Sequence, residues 1–224
     1  MLVHTPSGAA RLSVLAPVGR PRAVALLLHG AGSDTAVPVL LGIADALAAQ
    51  GVLAVRADQP YAVTGHRPPA PAGRLDEVVR RVATAVRAPL PAGLPLLLVG
   101  RSSGGRVACR TAAGLGAAAV VALGFPLLPP PPRAPAMPRS RAAELAGAGV
   151  PVLVVQGERD TFGGPEAVAA LALPHVLVHA VAGADHGLAT RAPDGRQPGA
   201  AVEEAVGVAA WWLLARVGAA RRPA

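Results

Sequence analysis

Ser102 sits in Gly100-Arg101-Ser102-Ser103-Gly104, directly after the apolar run Leu96–Val99 and directly before an Ala-rich helical stretch, Gly105–Ala113. A serine on a sharp strand-to-helix turn presents its hydroxyl outward, and flanking glycines leave space where a Cβ would collide. That hydroxyl is a weak nucleophile until a base takes its proton. Of the six histidines, His186 in Gly183-Ala184-Asp185-His186-Gly187 follows the last predicted strand, where such a base belongs. His175 and His179 fall in or beside that strand, His4 lies near the amino terminus, and His66 stands in a loop. The imidazole needs a carboxylate to fix its tautomer. Asp160, in Gln156-Gly157-Glu158-Arg159-Asp160 after the strand Val152–Val155, completes the chain order Ser–Asp–His. Glu158 is its nearer rival. Asp185 adjoins His186, and adjacent side chains rarely turn back on each other. These residue types in this order point to acyl transfer through a covalent serine intermediate.

Acyl transfer also needs donors aimed at the developing oxyanion. One candidate is the backbone N–H of Ser103. The other is that of Ala31, in the Gly-rich segment His29-Gly30-Ala31-Gly32-Ser33-Asp34 that follows the strand Ala23–Leu28. His29 is expected to orient that loop by hydrogen bonds and not to act as a base.

The elements that would position these groups alternate. Val and Leu runs at Ala23–Leu28, Val52–Arg56, Leu96–Val99, Ala118–Leu123, Val152–Val155 and Val176–Val181 read as buried strands. Helices are expected over Val37–Ala49, Arg74–Arg87, Gly105–Ala113 and Ala201–Val217, with Val78, Val79, Val82 and Val86 on one face of the second. Leu2–His4 and Arg11–Leu15 flank Pro6-Ser7-Gly8 as a hairpin. Strands apolar on both faces and alternating with helices predict a mostly parallel sheet of about eight strands covered on both sides. The chain, residues 1–224, reads as a single α/β domain. Proline-rich stretches at Pro68–Pro71 and Pro129–Pro138 follow strands and read as surface loops near the carboxyl edge of the sheet, where open α/β sheets bind ligands.

Composition narrows the function classes. The net charge of +8 comes with 21 basic residues, all arginine, scattered along a chain that is 2% aromatic. Single-strand nucleic-acid binders interleave basic and stacking residues, and no such run is present, so nucleic acid is not expected as a partner. The longest apolar stretch, Ala117–Leu128, is broken by Gly124 and Pro126 and is shorter than the ~20 residues a membrane span needs, so no membrane partner is expected either. One cysteine, Cys109, permits no internal disulfide. No amino-terminal apolar leader is evident, and a cytoplasmic location is the expectation.

The segments HGAGSD (29–34), GRSSGGR (100–106), GFPL (124–127), QGERDTFG (156–163) and GADHGL (183–188) together resemble the α/β-hydrolase superfamily, in its dienelactone-hydrolase-like branch. Within it the chain is most similar to small bacterial hydrolases related to the testis-expressed, histone-acetyltransferase-complex-associated group. The resemblance implies Ser102, Asp160 and His186 as the catalytic triad. It departs from true dienelactone hydrolases, whose nucleophile is usually cysteine, and this puts dienelactone in doubt as the substrate. Related enzymes insert a helical cap where this chain has only Leu127–Val150, room for one short helix around Ser140–Ala146. Little or no cap is therefore expected, with pocket walls from Tyr61, His66, Arg67, Phe125 and Phe162. Arg67 and Arg101 are placed either to attract an anionic substrate or as ordinary solvated arginines.

The expectation is a serine hydrolase of the carboxylesterase or thioesterase kind, acting on a small soluble acyl compound without metal or organic cofactor. The alternative is a catalytically silent protein that keeps the fold as a binding or scaffold module.

Overall fold

The computed structural model describes residues 1–66, 68–129, 140–191 and 196–219. Strands β1 (Leu2–Thr5) and β2 (Gly8–Leu15) form the amino-terminal hairpin, and β2 runs antiparallel to β4 (Val52–Asp58). Next come β3 (Ala23–Leu28), β5 (Leu96–Arg101), β6 (Ala117–Leu123), β7 (Val152–Gly157) and β8 (Val176–Val181), all parallel to their neighbours. The order across the sheet is β1-β2-β4-β3-β5-β6-β7-β8. This is an α/β-hydrolase fold with helices on both faces, as expected.

Successive side chains of a strand point to opposite faces, so an all-apolar strand feeds two cores. In β3, Val24, Leu26 and Leu28 pack into one core, and Ala23, Ala25 and Leu27 into the other. Helices α3 (Ala72–Arg87) and α4 (Ser103–Leu115) cover the first face, and α1 (Pro38–Ala49) and α7 (Ala200–Ala219) the second. Trp212 is buried in the second core, while the adjacent Trp211 is exposed.

The predicted strands and helices are present with ends moved by a few residues. β4 and β5 extend beyond their apolar runs to Asp58 and Arg101 because the ladder continues under polar side chains. Three short helices complete the described chain: α2 (Pro60–Val63), α5 (Ala142–Ala146) and α6 (Pro165–Ala169). Only α5 was anticipated. No described helix is long and apolar enough to cross a membrane.

Asp58, at the carboxyl end of β4, pins the loop leaving β3. Its Oδ1 accepts the Thr35 N–H at 2.8 Å and hydroxyl at 2.7 Å, and its Oδ2 accepts Arg11 Nε and Nη2 at 2.9 and 2.8 Å. Burial alone would raise this carboxyl, but the hydrogen bonds from Thr35 and Arg11 outweigh it and hold the group below the usual carboxylate range. A depressed folded value stabilises the protein above the unfolded pKa and is lost as pH falls through the folded one. Asp58→Asn should cost about 2–3 kcal/mol at neutral pH. The gap from wild type in urea titrations should narrow as pH drops below about 4.

Candidate active site

The turn from β5 into α4 is closed at van der Waals limits. A Cβ on Gly100 would run into the backbone of Gly104 and Gly105, and one on Gly104 would lie 2.5 Å from the Leu28 carbonyl oxygen and 2.6 Å from that of His29. Strand, turn and helix can approach this closely only where both positions lack side chains. Ser102 takes φ 51° and ψ −117°, a conformation that non-glycine residues seldom adopt. Its N–H donates to the Leu123 carbonyl at 2.8 Å, which anchors the strained residue to β6. The strain is held by neighbours that leave it no alternative.

The loops after β7 and β8 deliver the partners. His186 Nε2 lies 2.9 Å from Ser102 Oγ, and His186 Nδ1 lies 2.8 Å from Asp160 Oδ2. A carboxylate only accepts, so Nδ1 carries the proton and Nε2 offers its lone pair to the serine O–H. The Asp160 side chain is fully shielded. Its Oδ1 accepts the Phe162 N–H at 2.8 Å, and its Oδ2 also accepts Gln156 Nε2 at 2.8 Å. Gln156, wholly buried, ties Asp160 to the loop after β6: its Oε1 accepts the Phe125 N–H at 2.8 Å, and its Nε2 also reaches the Gly163 carbonyl at 2.7 Å. The Phe162 ring meets the His186 ring edge-on, with centroids 4.7 Å apart.

The rivals have other tasks. Asp185 Oδ1 accepts the N–H groups of Gly187 and Ala189 and so shapes the histidine loop. Glu158 Oε2 accepts the Gly183 N–H at 2.9 Å. His29 is buried and orients its loop: its Nε2 accepts the Gln59 N–H at 2.9 Å, which leaves Nδ1–H to donate to the Gly30 carbonyl at 2.8 Å. Burial holds this imidazole below its ordinary value, hence neutral.

Ser102 and His186 open onto a cavity of about 290 Å³ whose rim includes Ala31, Ser103 and Phe162. Among the described residues, the N–H groups of Ala31 and Ser103 donate to no protein acceptor.

A family model described as an alpha/beta hydrolase domain matches residues 21–213. The chain belongs to the α/β-hydrolase family. No curated protein matches it. Solved structures with the same fold include an alpha-beta serine hydrolase homologue from Coxiella burnetii, 19% identical over 95% of this chain and 96% of that one, with TM-score 0.74. A lidless serine hydrolase from Xanthomonas campestris is 22% identical over 93% of each chain, with TM-score 0.68. A dienelactone hydrolase from Anabaena variabilis is 20% identical over 96% of this chain and 95% of that one, with TM-score 0.70. Family membership supports a hydrolase.

The pocket walls of this α/β-hydrolase differ from the expected set. Phe162 lines the cavity. Phe125 does not: its ring is fully buried in the core, and its N–H donates to Gln156. Tyr61 and His66 border a neighbouring cavity beside α2 and α3, and the Tyr61 hydroxyl reaches the Gly30 carbonyl at 3.4 Å. Arg67 lies outside the described residues. Arg101 does not line the cavity: a Cβ on Gly30 would fall 3.3 Å from its Nη1, and one on Gly187 3.7 Å from its Nη2. Sequence reasoning missed Gln156, although an amide at the end of the run Val152-Leu153-Val154-Val155 was a signal. It also missed Arg106 and Arg141, which line the cavity that holds Ser102.

Replacing Gly104 by Ala should destabilise the protein by at least about 3 kcal/mol, since the obstacles are backbone atoms. Gly114→Ala, in the same helix with open space around it, should stabilise by up to about 1 kcal/mol. Denaturant midpoints of the two variants check both signs.

Proposed function

We propose that the chain is a serine hydrolase that cleaves an ester or thioester of a small acyl compound, with Ser102, His186 and Asp160 as its triad. The observation that carries this reading is the single hydrogen-bonded line Ser102–His186–Asp160, which opens into a cavity edged by two unused backbone N–H groups. Ser102 Oγ attacks the carbonyl carbon while its proton passes to His186 Nε2. Asp160 fixes the imidazole tautomer and stabilises the imidazolium. The N–H groups of Ala31 and Ser103 receive the oxyanion, and donors fixed in advance need no reorganisation as the charge develops. Collapse expels the leaving group with the proton from His186, and water then releases the acyl group by the same steps in reverse order.

Supporting features are the neutral, loop-orienting His29 and the Gln156 bridge that sets Asp160. The finer likeness to the testis-expressed, complex-associated hydrolases belongs to the same reading, and so does a cytoplasmic location. Burial, with the charge of Glu144 adding, pushes the Cys109 thiol up to about 12, so it does not compete with Ser102 as a nucleophile.

A fluorophosphonate should label Ser102, identified by peptide mass spectrometry. Ser102→Ala should lower kcat on p-nitrophenyl esters by a factor on the order of 10⁴–10⁶. Asp160→Asn should lower it by a factor on the order of 10⁴, because the amide favours the wrong imidazole tautomer. A chain that takes no label, hydrolyses no ester of any length and is recovered in a stable protein complex would be a binding module instead.

A further inference from the structure

Two arginines that play no part in the proposed chemistry line the same cavity as Ser102. Arg106 is one helical turn beyond Ser103 on α4, and Arg141 immediately precedes α5. Behind them lies a chain of ion pairs. Arg110 grips Asp76 with Nε and Nη2, at 3.0 and 2.7 Å, and reaches Glu144 with Nη1 at 3.0 Å. Arg106 grips the same Glu144 with Nε and Nη2, at 2.7 and 2.6 Å. Three guanidinium groups, those of Arg106, Arg110 and Arg141, thus stand near two carboxylates, those of Asp76 and Glu144, which bond to the first two alone. One positive charge is left over.

Arg141 carries the excess. Its Nη1 donates to the carbonyls of Pro126 and Leu128, at 3.0 and 3.4 Å, and these are neutral acceptors. Among the described residues its Nε and Nη2 donate to nothing, nor does Arg106 Nη1. Burial and the charges of Arg106 and Arg110 act against its cationic form more strongly than Glu144 favours it. An anion arriving in the cavity would relieve that repulsion and occupy the free donors. A half-buried guanidinium fork matches the two oxygens of a carboxylate.

We propose that Arg141, assisted by Arg106, is a specificity-determining subsite for a carboxylate, so that the substrate is an ester whose acyl half ends in a carboxylate. The inference rests on Ser102 as the nucleophile. The acyl half is the part concerned because the leaving oxygen must lie within reach of His186 Nε2, which leaves the side of α4, where Arg106 follows Ser103, to the acyl chain. Pro126 and Phe162 offer apolar contact to a short methylene spacer. The cavity of about 290 Å³ suits a short dicarboxylic half-ester.

The test compares p-nitrophenyl butyrate with mono-p-nitrophenyl glutarate, each corrected for its uncatalysed rate, in wild type, Arg141→Gln and Arg141→Lys. Wild-type kcat/KM should favour the charged ester by at least about tenfold, a preference that shrinks as NaCl is raised. Arg141→Gln should abolish the preference, and Arg141→Lys should restore part of it. A merely structural role, through the bonds to the Pro126 and Leu128 carbonyls, would lower both esters alike. Equal kcat/KM for the two esters in wild type, or a preference that survives Arg141→Gln, overturns the subsite.

Calorimetry of monomethyl glutarate on Ser102→Ala reads the same subsite without turnover. Binding there should weaken by about tenfold when Arg141→Gln is added. If neither ester is hydrolysed, the hydrolase reading fails by itself, and the binding arm decides the subsite. Loss of binding with Arg141→Gln supports it, and absence of binding in the Ser102→Ala chain overturns it.

Discussion

The closure of β5 onto α4 is the contact on which the site depends. The carbonyls of Leu28 and His29 lie where a side chain on Gly104 would be, and the backbone of Gly104 and Gly105 lies where one on Gly100 would be. Because the three segments meet backbone to backbone, Ser102 is driven into a left-handed conformation and its hydroxyl stands clear of the sheet. The loop after β3 is brought by the same contact alongside the start of α4, so Ala31 and Ser103 present their N–H groups to one cavity. A small change in this packing would move Ser102 and both N–H groups together.

Hydrogen bonds do the remaining positioning, and each joins a loop to a different strand. Asp58 fastens the loop after β3 to the hairpin edge through Thr35 and Arg11. Gln156 fastens the Asp160 loop to the turn after β6. A buried carboxylate is costly unless its oxygens are satisfied. Asp160 has three donors and Asp58 has four, and in both cases those donors come from segments that must be held in register. The groups that make burial of charge tolerable are thus the ones that fix the geometry.

Charge is distributed unevenly around the cavity. On the side of His186, the two carboxylates of Asp160 and Asp185 outnumber the half-buried Arg101, whose cationic form is opposed by burial and favoured by both of them. On the side of α4 and α5, three guanidinium groups meet two carboxylates. One wall therefore carries one carboxylate in excess, and the other carries a cation with unused donors. In the reading proposed above, this asymmetry is the basis for choosing among acyl groups.

The sequence by itself determined the kinds and order of the main elements, the two-faced burial of the sheet, and which serine, histidine and aspartate would meet. Those features are local: periodicity marks strands and long helices, and a glycine-flanked serine after an apolar run has few conformations open to it. Helices of four or five residues, such as α2 and α6, have no period to read. The cavity walls were decided only by the tertiary structure. Phe125 is buried in the core, and its N–H is held by Gln156, 31 residues away. Arg106 lines the cavity from a cluster held by Asp76 and Glu144, on α3 and α5, and Arg141 from its bonds to the Pro126 and Leu128 carbonyls. A side chain's direction at the end of a strand is set by partners remote in the chain, and a single sequence does not show them.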